Sequence, residues 1–182
     1  MIRLPKSYQR GNYDSKFLWK KAKPYVEEMT QSKEVIVLSF HDSIQEKQYT
    51  DESELNCWHY DHVFGRSVKG GNFLTALLEV VGMRIPRGVE FIKKDLWITD
   101  PKTGKQRRKS STTKNELFRK MLVECHGKFL FDYVLADSWF SSVENMICCK
   151  EELKQDFIMA LKSNRKVALS KQDKENKQYN KY

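Results

Sequence analysis

A chain of 182 residues, 40% apolar and 31% charged, is long enough to close one core, and one domain is the expectation. Its formal charge of +9, with an isoelectric point near 9.3, points to polyanionic partners, either nucleic acid or an anionic membrane surface. No apolar run approaches the ~20 residues that span a bilayer, and Met1-Ile-Arg-Leu-Pro5 lacks the apolar segment of a signal peptide. The expected compartment is therefore the cytoplasm, and nucleic acid is favoured over membrane.

Residues 1–14 are polar and irregular, and Ser15 is a plausible N-cap for a helix over 16–30. Leu18, Ala22, Tyr25, Val26 and Met29 form its apolar stripe, and Pro24 should kink it or end its first half. The β-branched run Val35 to Phe40 reads as a strand buried on both faces, with Asp42 at its exit. From Ile44 to Gly71 the chain is polar, aromatic and rich in turn formers, ending in Lys69-Gly70-Gly71, and reads as a long connection.

Within it, Cys57-Trp-His59-Tyr-Asp61-His62 places histidines three apart in a segment patterned as strand or loop. That spacing suits zinc poorly, so the segment is expected to be structural, with Trp58 and Tyr60 buried. Cys57, Cys125, Cys148 and Cys149 show no paired CxxC spacing and read as reduced, small apolar fillers.

Phe73 to Val81 and Ile85 to Ile92 around Gly82-Met83-Arg84 suggest a hairpin. Lys93 to Thr113 is a basic excursion, with Lys102, Lys105, Arg107, Arg108 and Lys109 around Gly104. It reads either as a solvated loop or as a loop able to follow a phosphate backbone. Thr113 and Glu116 form a capping box, opening a helix with Leu117, Met121, Leu122 and Cys125 on its inner face and Gly127 at its end. A strand from Phe129 to Ala136 leads to Asp137. Ser141 and Glu144 read as a second capping box for a helix to about Leu153, and Phe157 to Leu161 as a fifth strand.

The succession of strand, hairpin pair, helix, strand, helix and strand is an α+β mixed sheet flanked by helices. After Leu169 no aliphatic residue appears, and residues 162–182 carry seven Lys or Arg against Asp173 and Glu175. That tail is expected to be loose.

Asp42 and Asp137, 95 positions apart, each leave a strand where a sheet begins to present side chains. Two carboxylates at one sheet edge can converge on a divalent cation, which makes metal-dependent attack on phosphate the leading chemistry. A third acid, usual in such sites, is not evident.

Several segments together resemble the catalytic domain of insertion-sequence transposases of the group typified by insertion sequence four. They are His41-Asp-Ser-Ile-Gln-Glu-Lys47, Tyr49-Thr-Asp-Glu52, Cys57 to His62, Gly65-Arg66, Lys114-Asn-Glu-Leu117, Ala136-Asp-Ser-Trp-Phe-Ser141 with Glu144-Asn145, and Phe157 to Arg165 with Val167 to Ser170. They span roughly residues 10–170 in order.

The resemblance implies a ribonuclease-H-like fold and DNA cleavage and strand transfer by two aspartates and a glutamate. Asp42 and Asp137 match the two aspartates, which would be both catalytic and metal-binding. The implied cofactor is Mg²⁺ or Mn²⁺, two ions in a complete site, with weak binding expected here. Relatives often carry an aspartate where this chain has His41.

The glutamate should lie on a later helix and has no counterpart. Glu175 follows Asp137 at a tempting spacing but lacks an apolar face to dock a helix, and Glu144 is explained as a cap. The chain is thus expected to be cut short before that glutamate: a helical lead-in over 1–34, a partial catalytic domain over 35–170 and a polar basic tail over 171–182. DNA is the implied partner, held by Lys105, Arg107, Arg108, Lys109, Lys162 and Arg165, with self-association possible and residence on the nucleoid when bound. The competing readings are an inactive DNA-binding or interfering remnant and a decayed gene product.

Overall fold

In the computed structural model the described residues are 15–31, 34–80 and 82–181. The expectation for 1–14, and those for the side chains of Leu18 and Met29, lie outside them. The chain divides into two units, residues 1–34 and 35–182.

In the first unit, helix α1 (Ser15–Gln31) runs through Pro24, so of the two expected effects Pro24 does not end the helix's first half, although it lacks the N–H of a full ladder. Lys23 pairs with Glu27 one turn on, at 3.4 Å. Val26 is buried, whereas Tyr25, assigned to the same stripe, is exposed.

The second unit is a mixed α/β structure built on a six-stranded sheet. Strand β1 (Val37–Glu46) is central, and strand β3 (Arg66–Val80) lies antiparallel along its whole length, from Val37 opposite Glu79 to Glu46 opposite Gly70. The far side of β3 is shared by two antiparallel partners: β2 (Asn56–Asp61) along residues 66–71 and β4 (Met83–Phe91) along residues 73–80. On the other side of β1, β7 (Tyr133–Ala136) pairs in parallel from Val37 opposite Tyr133 to Phe40 opposite Ala136. Strand β8 (Asp156–Met159) then adds in parallel to β7.

The segment expected to be a long connection after Ile44 is therefore sheet. It holds the end of β1, all of β2 and the start of β3. Its glycines misled: a Cβ on Gly70 would lie 2.2 Å from the Gln45 carbonyl oxygen, so glycine there permits close passage of β1 rather than a turn. The expected hairpin of β3 and β4 is present, turning at Gly82 with φ of +78°.

Alternation in β3 buries Val68, Asn72, Leu74, Ala76 and Leu78, and the same layer takes Leu38 and Phe40 from β1 with Val134 and Ala136 from β7. Helix α2 (Lys114–His126) packs over it. Both hydrogen bonds of the Thr113–Glu116 capping box form, and Leu117, Phe118, Met121, Leu122 and Cys125 are buried. Phe118 is fully buried, with its ring 4.5 Å from that of Phe40 and 5.3 Å, stacked, from that of Phe140.

Helix α3 (Val143–Ile147) continues into a wider π turn over Cys148–Glu152. Its N-cap is Ser142 rather than Ser141, because the buried Ser141 hydroxyl is spent on the Ser138 carbonyl, 2.8 Å away. All four cysteines are free and buried, and burial pushes the Cys149 thiol up to about 12, so these are inert fillers. On the opposite face of the sheet Val35, Tyr133, Leu135 and Ile158 are exposed.

The basic excursion is not a loop but a hairpin of β5 (Leu96–Thr99) and β6 (Gln106–Lys109), with Gly104 at φ of +68°. Its turn is tied by Asp100, whose carboxylate accepts from the Lys102 and Thr103 N–H groups at 2.9 and 3.2 Å. The tail, expected to be loose, forms β9 (Lys166–Val167), helix α4 (Lys171–Glu175) capped by Ser170, and β10 (Asn180–Lys181) pairing back to β9. Among the described residues no helix is long and apolar enough to cross a membrane.

Candidate active site

Asp42 does not end its strand as expected; it lies within β1, paired opposite Leu74 of β3. What opens it to solvent is β7, which stops at Ala136 opposite Phe40 while β1 runs on to Glu46. Two residues beyond Phe40, Asp42 faces the same side as Leu38 and Phe40, toward α2. There Lys114, the first residue of α2, forms an ion pair with its carboxylate, with side-chain exposures of 22% and 21%.

Asp137 follows directly on Ala136, so both aspartates lie just past the point where the parallel pairing of β1 and β7 ends. Its carboxylate accepts the Trp139 N–H at 2.8 Å, and its carbonyl accepts the Phe140 N–H at 3.1 Å, closing a tight turn. Behind the turn stands Asn145, fully buried. Its amide donates to the Phe140 carbonyl at 2.8 Å and to Asn115 Oδ1 at 3.0 Å, and its Oδ1 accepts from Arg119 at 2.7 Å. One side chain thus ties the turn after β7 to α2 with every bond satisfied.

Trp139, 42% exposed, collects the remaining chemistry. The Lys114 and Lys162 ammonium nitrogens lie 5.4 and 4.8 Å from its ring centroid, and the His62 ring is 5.5 Å away with Tyr60 beyond it at 4.9 Å. Of the expected phosphate contacts, Lys162 therefore reaches the ring of Trp139, two residues after Asp137. Arg165 is exposed in the turn that its N–H makes with the Lys162 carbonyl at 2.9 Å.

Lys105, Arg107, Arg108 and Lys109 instead form a group on the β5–β6 hairpin, where two of the four are already engaged. Arg107 pairs with Asp100 at 3.5 Å. Arg108 pairs with Glu52 at 3.1 Å, donates to the Lys94 carbonyl and lies 4.4 Å over the Trp97 ring.

The Cys57–His62 segment inverts the expected alternation. Cys57 and His59 are buried, 3.4 Å apart, while Trp58 is 56% exposed and Tyr60 is exposed too. A one-residue phase error flips a whole strand, and nothing in a run of four large or polar side chains fixed that phase. Burial first, then the positive charges of Lys94 and Lys114, pull the His59 imidazole down to about 4, so it is neutral at physiological pH.

Among the described residues no group of three or more His, Cys, Asp or Glu is placed to hold a metal. Glu175 is exposed on α4, and Glu144 is exposed beside the N-cap of α3, where the backbone N–H and Ser142 lower its carboxyl below the usual range. The two aspartates fit a hard divalent cation in donor type, but they supply only part of its ligand set. Lys114, Trp139 and Asn145 are the positions around the two aspartates that residue chemistry did not pick out. Each lay inside a segment that carried the transposase resemblance.

Comparison of the chain with protein-family models, with curated proteins and with solved structures finds no match in any of the three.

Proposed function

We propose that the chain carries the ribonuclease-H-like catalytic sheet of a DDE-type DNA transposase of the insertion-sequence-four group. The observation that supports this most is the register, in which the parallel pairing of β1 and β7 ends at Phe40 opposite Ala136, so that Asp42 and Asp137 both lie just past it. The strand order supports it too. Antiparallel β4, β3 and β1, extended by parallel β7 and β8, is a strand order compatible with that fold, with Asp42 inside the first of the parallel strands and Asp137 directly after the second.

Asp42 and Asp137 would hold the divalent cation, which when bound supplies Lewis-acid activation of the attacking hydroxyl and neutralises the leaving oxygen. The chain's own part is positional. Trp139 fixes the Asp137 carboxylate through its N–H, Asn145 locks the turn behind it, and Lys114 and Lys162 add positive charge where a phosphodiester would approach.

A second reading, a DNA-binding protein without cleavage, draws on the lack, among the described residues, of a third acid grouped with the two aspartates and on the ion pair of Asp42 with Lys114. Nicking of supercoiled plasmid with Mg²⁺ or Mn²⁺ separates the two. Nicking lost in Asp42→Asn and in Asp137→Asn supports the catalytic reading, whereas salt-sensitive binding with no nicking supports the second.

A further inference from the structure

Lys114 has two partners for one ammonium group. From the first turn of α2 it reaches the Asp42 carboxylate, and it also lies 5.4 Å from the centroid of the indole that Lys162 approaches to 4.8 Å. Two ammonium groups near one ring repel each other, and only one is offset: among the described residues Lys162 forms no ion pair. Folding does not require this concentration of charge, since Trp139 is 42% exposed and belongs to no core cluster. Two cations on a half-exposed aromatic plate, one lacking a counter-ion, make a site for an anion.

We propose that Lys114 and Lys162, carried on Trp139, bind a phosphodiester beside the Asp42–Asp137 edge, and that Lys114 is released fully to that site when a divalent cation takes over Asp42. The inference rests on the reading of the aspartates as cation ligands. A divalent cation at Asp42 displaces a monovalent one by competition for the same oxygens. The displaced ammonium is tethered to α2, so the anion it accepts must lie near Trp139. Cation and DNA therefore bind with positive coupling, each raising the affinity of the other by the same factor. In their absence Lys114 keeps Asp42 neutralised.

The test uses the full chain, Mn²⁺ followed by its paramagnetic signal, and a duplex oligonucleotide followed by fluorescence anisotropy over a range of salt. Lys114→Met is expected to bind Mn²⁺ about fivefold more tightly without DNA, as the loss of one partly exposed competing charge dictates. It should also abolish the Mn²⁺ enhancement of DNA binding. Lys162→Met, whose side chain touches no aspartate, should leave Mn²⁺ affinity unchanged and lower the slope of log K against log salt by about 0.9.

The proposal is overturned if Asp42→Asn abolishes Mn²⁺ binding while Lys114→Met leaves it unchanged or weaker, or if the salt slope is the same in wild type and Lys162→Met. If instead Asp42→Asn has no effect on Mn²⁺ binding, the assignment of the aspartates as ligands fails, and this inference with it.

Discussion

The two aspartates are held by different physics. Asp42 stands in the middle of a long strand, its backbone fixed by the ladder to β3 and its side chain by one ion pair. Asp137 rides a four-residue turn that has no ladder and is held instead by its own hydrogen bonds and by the buried amide of Asn145. The strand side therefore depends on many equivalent bonds and tolerates the loss of any one. The turn side depends on single atoms. Substitutions should separate the two, and the most damaging should be those that strike what both sides rest on.

Phe118 is that shared base, since its ring touches Phe40, two residues before Asp42, and Phe140, three residues after Asp137. Phe118→Ala is expected to cost about 3 to 5 kcal/mol in denaturant unfolding, as for a fully buried phenylalanine whose site collapses incompletely. A loss below about 1 kcal/mol would mean that the stack does not bear on either aspartate.

Asn145→Ala breaks the turn side alone. It leaves the Asn115 amide oxygen and the Arg119 guanidinium without this partner and takes one of two bonds from the Phe140 carbonyl, which keeps the Ser142 N–H, at an expected cost of about 2 to 3 kcal/mol. Hydrogen exchange reads the asymmetry directly. Amides of Trp139 and Phe140 should lose protection while those of β1 keep theirs, and equal loss on both sides would refute the distinction.

Much of this was legible in the sequence, and what was not has a physical cause. The helix capped by Thr113 and Glu116 and the β3–β4 hairpin were readable because capping, apolar spacing and turn residues act over a few positions. The start of β3 was not, because Gly70 signals a turn locally and a close approach to β1 only in three dimensions. Asp42 was found but placed wrongly within its strand. The apolar run stops at Phe40 because β7 stops there, not because β1 does. The Lys114–Asp42 pair and the Asn145 network join positions 72 and up to 30 residues apart, and no local pattern encodes them.

On the strand side, His59 gives a pH signature. Its pKa falls from 6.5 in the unfolded chain to about 4 in the fold, so between those values the unfolded state binds the extra proton. Stability from keeping His59 neutral is then fully present above pH 6.5 and is lost as pH falls toward 4, by at most about 3 kcal/mol. Carboxylates such as Glu116, held low by the cap at Thr113, lose their contribution only at lower pH. Urea midpoints should therefore fall between pH 7 and pH 5 in the wild type and stay nearly level over that interval in His59→Gln. A fall of the same size in the variant would assign the effect to another group.

The smallest effect tests the same contrast, between groups held by the fold and groups left at its surface, within the basic hairpin. Arg108 is committed to Glu52, to the Lys94 carbonyl and to the face of Trp97, and Arg107 to Asp100, whereas Lys105 and Lys109 are exposed and form no ion pair among the described residues. An ammonium already in water can trade its counterions for a phosphate, while an arginine that must first leave a carboxylate and an aromatic ring gains little by doing so. Replacing Lys105 and Lys109 together by Gln should lower the slope of log K for DNA against log salt by up to about 1.8, since each phosphate no longer neutralised removes about 0.9. Arg108→Gln should instead leave the slope almost unchanged and lower thermal stability, because its partners are all within the protein. The opposite pattern, a slope that follows Arg108 and ignores the two lysines, would show that the hairpin opens on DNA and that its internal pairs are only its resting state.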